Sequence, residues 1–324
     1  MTFNHTIISL SLSLIATGLA IASLLGYLGR FWWRFELFNH FRVQYLVLAV
    51  ICGLGLLLAR QLAGFFLCIV VSLINLVLIL PLYQHPHSKS RPAPTFRILT
   101  ANILGPNEEY EQISHMLEEA KPDLALLVEF THHHQDGLKT ALQGFPHTHF
   151  LPHEDNYGLA LLSRLPMTST EISFLNEDDI PVLVAHLELD GHLLTIIGTH
   201  TPPPKSQELT DLRDQQVLAL ALFAAKQEGE VILLGDLNTT SWSYTFKDLL
   251  RESGLRDSRS GFGIQPTWPE NMPLMRVPID HVLHSPGIHI SHRCTGPFSG
   301  SDHRPVIVDF CLRIDAGTLT NPIN

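Results

Sequence analysis

Three apolar runs without a single charged side chain fill most of the first 83 residues: 7–28, 43–59 and 62–83. A helix rises about 1.5 Å per residue, so runs of about 17–25 residues can cross a hydrocarbon core of roughly 30 Å. Only Arg60 and Gln61 separate the second run from the third, which reads as a tight helical hairpin. A cleaved signal peptide fits the first run poorly. The start MTFNHT has no Lys or Arg, and no small-x-small cleavage site follows. Buried helices of a soluble protein would not need three charge-free runs in so short a stretch. Phe31, Trp32, Trp33, Phe35 and Phe38, interleaved with Arg30, Arg34 and Arg42, have the composition of an interfacial aromatic belt. Residues 1–83 are therefore expected to be a membrane anchor of three transmembrane helices. This makes the chain a multi-pass protein of the plasma (inner) membrane, with the lipid bilayer as its first partner.

Charge divides the chain at the same place. Residues 1–83 hold four Arg and one acid, Glu36; residues 84–324 hold 17 Lys+Arg against 30 Asp+Glu, and the two parts sum to the chain's −10. A protein that grips duplex DNA through many phosphates carries a basic footprint, and this one has none overall. A local basic groove remains compatible with that balance. Cys52 and Cys68 lie in apolar runs, and Cys294 and Cys311 are isolated, so the four cysteines form no disulfide framework or zinc motif. Residues 84–95 (QHPHSKSRPAPT) read as an extended linker, 96–314 as one hydrolase-sized domain and 315–324 as a tail. No obligate protein partner is evident.

Within the domain, β-branched runs predict strands over 96–101, 124–129, 158–163, 182–189, 193–199, 231–235, 279–284 and 306–311. Apolar spacing predicts helices over 108–120, 209–226 and 242–253. Strands mixed with a few helices suggest two packed sheets covered by helices.

Polar residues gather at the ends of these strands. Asn102 closes the first and Glu129 the second; His200 follows LLTIIGT; Asp236 and Asn238 follow VILLG; Asp280 opens IDHVL; Asp302 and His303 precede the last strand. Each taken alone could be a turn cap. Together they suit phosphoryl hydrolysis, which needs negative charge neutralised and a water aimed in line with the leaving oxygen. Glu129 and Asp302 offer hard oxygens for Mg²⁺ or Mn²⁺. Asp236 can orient the attacking water, and Asn238 and Asn102 can bond phosphate without repelling it. His303, with Asp280 behind it, can stay protonated against the phosphate.

The ordered set TANIL, LLVEF, GLALLSR, GTH, GDLN, IDHVL and SDHRPV resembles the endonuclease/exonuclease/phosphatase superfamily over roughly residues 96–312. That resemblance implies a four-layer α/β/β/α sandwich of the deoxyribonuclease I-like class, here preceded by three transmembrane helices, and a Mg²⁺-dependent phosphoesterase. It implies Glu129 as principal metal ligand, with Asn102 and Asp302 near the metal. It implies His200, Asp236, Asp280 and His303 as the catalytic set, and Asn102 and Asn238 as phosphate-binding. Asn156, just before GLALLSR, joins them as a candidate phosphate contact, against the reading of a turn residue. Arg164 reads as a surface residue ahead of an anionic-substrate contact, Trp268 as a packing residue ahead of one on the cleft rim, and His132–His134 as a solvated loop ahead of a soft-metal site.

The anchor and Pro202-Pro203-Pro204 after His200 are similar to bacterial membrane members of the teicoplanin-resistance type, associated with lipid-linked pyrophosphate. In that type the catalytic domain lies outside the cytoplasm. The flanking basic residues, Arg30, Arg34, Arg42, Lys89 and Arg91 against Arg60, point the other way, so the side stays open. The leading expectation is hydrolysis of a phosphoester or pyrophosphate on a lipid-linked or amphiphilic substrate. The alternatives are a membrane-tethered endonuclease or exonuclease acting on nucleic acid, and a non-catalytic membrane scaffold.

Overall fold

The computed structural model describes residues 2–84 and 95–312. Of the expected linker, only Gln84 and Thr95 fall within them, and the expected tail at 315–324 lies outside them.

The apolar runs form helices α1 (Thr2–Leu25), α3 (Arg42–Leu58) and α4 (Leu62–Ile79), with a one-turn helix α2 (Trp33–Glu36) between the first two. Arg60, in the left-handed region at φ 58°, turns the chain from α3 into α4. The stretches Thr6–Leu28 and Leu62–Tyr83 are each long and apolar enough to cross a membrane; α3 reaches that length only together with Trp33–Asn39, from which it bends by 63°. The three expected spans are thus two, or three if the bent pair is one span. Small residues let the helices approach. Ala16, Cys52, Leu56 and Cys68 form one buried cluster and Leu19, Ala49 and Val71 another. Ile8, Leu14, Ile51, Leu58 and Phe66 point outward and are exposed. Apolar on the outside as well as the inside, the bundle lacks the polar face of a helix that meets water.

The rest of the chain runs β1 (Phe96–Asn102), α5 (Tyr110–Ala120), β2 (Leu124–Val128), α6 (His132–Gly137), α7 (Lys139–Leu142), β3 (His147–Leu151) and β4 (Leu159–Ser163). It continues through β5 (Met167–Phe174), β6 (Pro181–Leu189), β7 (His192–His200), α8 (Gln207–Ala224), β8 (Glu230–Asp236), α9 (Tyr244–Ser253), β9 (Arg256–Asp257), β10 (Asp280–His284), β11 (Ile288–Thr295) and β12 (Val306–Leu312). Two six-stranded sheets result, in the orders β11-β12-β1-β2-β4-β3 and β5-β6-β7-β8-β10-β9.

Side-chain alternation along the strands makes the layers. Ile98, Leu124, Leu126 and Val128 meet Ala185, Ile196, Ile232, Leu234 and Val282 between the sheets. Their neighbours Leu99, Ala125 and Leu127 face out, onto Ile113, Met116 and Leu117 of α5. Ile197, Val231 and Leu233 face out onto Val217 and Leu220 of α8 and Phe246 of α9. Strands covered on both faces read as continuous apolar runs, which is why β2, β4 and β8 were legible. The outcome is the expected α/β/β/α sandwich.

The strands β3, β5, β9 and β11 had no predicted counterpart. Sequences such as HTHFL and MTSTEISF lie on sheet edges or beside them, half-covered, and their Thr, Ser and His dilute the apolar signal. The helix expected from residue 209 begins at Gln207 because the Ser206 side chain accepts the amide of Leu209. The helix expected from 242 begins at Tyr244 because Ser243 caps it. Residues 132–134 are not a solvated loop. They open α6 in a reciprocal cap with Thr131, and His134 is fully buried.

Candidate active site

Register brings the polar strand ends together. In the second sheet β7 and β8 run parallel with His200 opposite Asp236, and β10 runs antiparallel to β8 with Asp280 opposite Asp236. In the first sheet Asn102 pairs with Val128, one residue before Glu129. The sandwich stacks these two rows, and Asn102 bridges them. Its amide nitrogen donates to Glu129 Oε1 at 2.9 Å and lies 3.3 Å from Asp236 Oδ2.

Two backbone features aim the side chains. Glu129 (φ 60°) and Asn238 (φ 46°) sit in the left-handed region, which asparagine tolerates and glutamate occupies only when its surroundings compel it. Gly235 (φ 138°) lies so close to β7 that a Cβ there would run into the Thr199 carbonyl. The glycine of GDLN is thus required by the close approach that aligns Asp236 with His200.

Asp236 is buried between two imidazoles. His200 Nε2 is 3.5 Å and His303 Nε2 3.7 Å from its Oδ2, while its Oδ1 accepts the amide of Asn238 at 2.9 Å. Burial alone would raise its pKa, but His303 and His200 outweigh that and hold it down to about 2. His303 Nδ1 donates to Asp280 Oδ2 at 2.9 Å. Burial works against a charge on His303, yet Asp280 and Asp236 together lift its pKa to about 10. Burial likewise pushes Asp280 up; His303 pulls it back, and Asp236 adds to the rise. Two carboxylates flank the one imidazole, so the state with His303 charged is favoured. His200 is also raised: burial opposes the charge, and Asp236 and Glu129 overcome it. Its Nδ1 donates to the Asn156 carbonyl, so the ring is fixed with Nε2 toward Asp236.

These groups open on one cavity of about 500 Å³ lined by Glu129, Asn156, His200, Asp236, Asn238, Asp302 and His303. Asn102 and Asp280 are buried behind the lining residues. Asn156 thus lines the cavity, is exposed, and contributes its carbonyl to His200. A separate cavity of about 580 Å³ near Pro81, Leu250, Phe262 and Ile290 contains none of the expected site residues. Trp268 departs from the packing role expected of it. It is 37% exposed on the cavity rim, and its indole nitrogen donates to Asp302 Oδ2 at 2.9 Å. Arg164 stands over the Phe145 ring and does not line the cavity.

Asp236, Asp280 and His303 present ligand-type atoms within 4.8 Å of one another. The two ring nitrogens of His303 face different carboxylates, however, Nδ1 in a hydrogen bond to Asp280 and Nε2 at ion-pair distance from Asp236, which makes a row rather than a cage. Glu129 and Asp302 also offer hard carboxylate oxygens to the cavity. Glu129 is steadied by Asn102 on Oε1 and by the Gly105 amide on Oε2 at 3.0 Å. Asp302 is steadied by Trp268, and both carboxylates line the cavity.

Part of the lining was not anticipated. Leu37, His40 and Phe41, from the turn between α1 and α3, form one wall with Pro203, Pro204, Val277 and Ile279. A signal existed. Glu36 is the only acid in residues 1–83, and an acid set among apolar helices needs a partner. It has one: buried Glu36 pairs with buried Arg213 at 2.6 Å. The N-terminal helices also meet the sandwich where Arg30 pairs with Asp248 and where the Trp242 indole donates to the Leu78 carbonyl. The basic count used for sidedness is correspondingly weakened. Arg42 is buried inside the bundle, Arg30 is paired, and Lys89 and Arg91 lie outside the described residues.

The thermal stability of the metal-free protein is expected to fall as pH rises. A histidine whose folded pKa stands near 10 against an ordinary 6.5 stabilises fully below pH 6.5 and loses that contribution as pH passes through 10. Unfolding of wild type and His303→Gln, followed by tryptophan fluorescence in chelator from pH 6 to 10.5, should show their difference narrowing across that window. A constant difference would contradict the assignment.

Among solved structures the chain is similar to an endonuclease/exonuclease/phosphatase from Beutenbergia cavernae, with 20% identity, TM-score 0.54, and coverage of 68% of this chain and 72% of that one. A counterpart from Bacteroides vulgatus gives 17% identity and TM-score 0.58, covering 68% of this chain and 100% of the other. D. rerio TDP2, solved in complex with a single-strand DNA product, gives 18% identity and TM-score 0.58 with the same coverages. At these identities the likeness concerns the fold. No curated protein matches the sequence. The profile described as Endonuclease/Exonuclease/phosphatase family matches residues 99–303, from within β1 to His303. That match spans more than half of the chain and both rows of the site, and the chain belongs to the endonuclease/exonuclease/phosphatase family.

Proposed function

We propose that the protein is a membrane-anchored, divalent-metal-dependent phosphoesterase that hydrolyses a phosphoester or pyrophosphate of a lipid-linked or amphiphilic substrate. One observation carries the substrate class. The cavity that holds the carboxylates and imidazoles has an apolar wall, and Leu37 and Phe41 of that wall come from the segment joining the membrane helices. A phosphate can meet the polar floor while an attached chain lies along the wall toward the bilayer. Tethering at the bilayer raises the local concentration of such a substrate.

The residues divide the chemistry as follows. Glu129 and Asp302, with Asn102 behind them, would hold Mg²⁺ or Mn²⁺; all their ligand atoms are hard oxygens, which fits those ions. When bound, the ion would neutralise phosphate charge. His303, charged and braced by Asp280, donates from Nε2 to a phosphoryl oxygen. Asn238 bonds a second oxygen, and His200 stands beside it toward the leaving group. Asp236 accepts a hydrogen bond from the attacking water. With a pKa near 2 it is a weak base while both imidazoles face it. Transfer of His303 and His200 to the phosphate would remove that counter-charge and make Asp236 more basic as the reaction proceeds.

The substrate class can be tested in detergent with Mg²⁺, by offering polyprenyl pyrophosphate, sphingomyelin, a phosphoinositide, single-stranded DNA and plasmid, each with and without chelator. Turnover of lipid in preference to DNA is expected. Phe41→Ala should raise KM for a long-chain substrate about tenfold, the effect of roughly one exposed aromatic contact, and leave a short-chain analogue unchanged. Equal effects on both would remove the chain-binding role of the wall. The nucleic-acid reading has its own support in the fold shared with the DNA-bound D. rerio TDP2. Turnover of single-stranded DNA and not of lipid would favour it, against the chain's net charge of −10.

A further inference from the structure

The turn between α1 and α3 does more than wall the cavity. Glu36 Oε2 accepts from Arg213 Nη2 at 2.6 Å, and its Oε1 lies 3.5 Å from Thr239 Oγ1. Arg213, on α8, has no exposed surface. Its Nη1 reaches the carbonyl of Asn238 at 3.4 Å, and its Nη2 also meets Asp214. Four residues on from Glu36, His40 Nδ1 bonds Thr240 Oγ1 at 3.1 Å. The three consecutive residues 238, 239 and 240 are therefore all held from the anchor side, directly or through Arg213. Asn238 is the residue in the left-handed conformation, and its amide nitrogen lies 2.8 Å from the Thr201 carbonyl and 3.2 Å from His200 Nε2. Asparagine tolerates that conformation without being confined to it, so the bonds to its neighbours decide whether the turn keeps it.

We propose that Glu36 is a positioning residue, which acts through Arg213 to hold the Asn238–Thr240 turn and thereby lets the membrane anchor set the geometry of the hydrolytic centre. If Glu36 loses its charge, Arg213 retains only Asp214, whose side chain is 43% exposed, and is drawn away from the Asn238 carbonyl toward solvent. The turn then relaxes, and His200 and Asn238 lose their fixed separation. The proposal rests on the roles assigned to Asn238 and His200 but not on the lipid character of the substrate.

The test uses the full-length protein in detergent with Mg²⁺ and the soluble probe bis(p-nitrophenyl) phosphate. Two variants are compared with wild type: Glu36→Gln, and the double variant Glu36→Leu with Arg213→Met. Replacing a buried ion pair by apolar residues of similar volume is often neutral for stability, so the double variant stays informative if the single one fails to fold. Displacement of catalytic groups by a fraction of an ångström predicts that kcat of the double variant falls about 10- to 100-fold, with KM and melting temperature little changed. Glu36→Asp should recover part of the loss. A folded double variant with kcat within about twofold of wild type would overturn the proposal. Hydrogen exchange supplies a readout independent of turnover: amides of residues 236–241 should exchange at least about tenfold faster in the double variant. Unchanged protection there overturns the proposal even if wild type does not hydrolyse the probe, an outcome that would count against the proposed function instead.

Discussion

An Asp236→Asn protein is expected to lose about three to four orders of magnitude in turnover while it remains folded, the scale set by loss of a group that handles the nucleophile's proton. The asparagine is nearly isosteric, so the amide of residue 238 can still bond Oδ1. Both imidazoles, in contrast, lose the anion that faces their Nε2 atoms. Two losses coincide. The water loses its acceptor, and His200 loses the largest influence holding it protonated against burial. His303 keeps Asp280, so its charge should survive in part. Steady-state kinetics on bis(p-nitrophenyl) phosphate, with a melting curve on the same sample, separates chemistry from folding. A rate within tenfold of wild type would remove Asp236 from the reaction and with it the role assigned to the row of β7, β8 and β10.

Stripping divalent metal is expected to abolish activity, and adding back Mg²⁺ or Mn²⁺ should restore it. Glu129→Gln should raise the metal concentration for half-maximal rate by at least about 100-fold, the upper end of what loss of even an outer-sphere partner costs. The reasoning is geometric. Glu129 is held at φ 60° with an oxygen on the Asn102 amide and the other on the Gly105 amide, so its carboxylate has one orientation. That orientation faces the cavity it shares with Asp302. A carboxylate so fixed loses little entropy on meeting a cation. A thermal-shift titration reads binding without any substrate, because a ligand that binds only the folded state raises the melting temperature with its concentration. Wild type should show a metal-dependent rise, and Glu129→Gln should need far more metal for the same rise. If the two titrate alike, the cation is held elsewhere, and the row of Asp236, Asp280 and His303 becomes the place to look.

Much of this arrangement could be read from the linear order of residues, and the reason is the packing of the sandwich. Strands β1, β2, β4, β7 and β8 are covered on both faces, so their apolar runs stand out, and the polar residue that ends each run marks where the strand leaves the core. Asn102, Glu129, His200 and Asp236 were legible on that ground, and Asp280 as the residue that opens β10. Asp302 and His303, before β12, were legible as a motif. Edge strands such as β3 and β5 were not, because one covered face leaves room for Thr, Ser and His. His134 was misjudged for a related reason: a polar residue that caps its own helix can be fully buried, and composition does not reveal the cap.

The sequence by itself determined the apolar N-terminal helices, the two-sheet domain of the endonuclease/exonuclease/phosphatase family, and the polar residue types at its strand ends. Those properties depend on local composition and on period-2 alternation, which each segment carries alone. Tertiary structure decided which groups touch. Sheet register set His200 and Asp280 against Asp236 and Asn102 beside Glu129, the stacking of the sheets brought Asn102 to Asp236, and the packing of the N-terminal helices onto the sandwich buried Glu36 against Arg213. These contacts join residues up to 177 positions apart. Their energies depend on distance and on exclusion of water, quantities that exist only once the chain has folded.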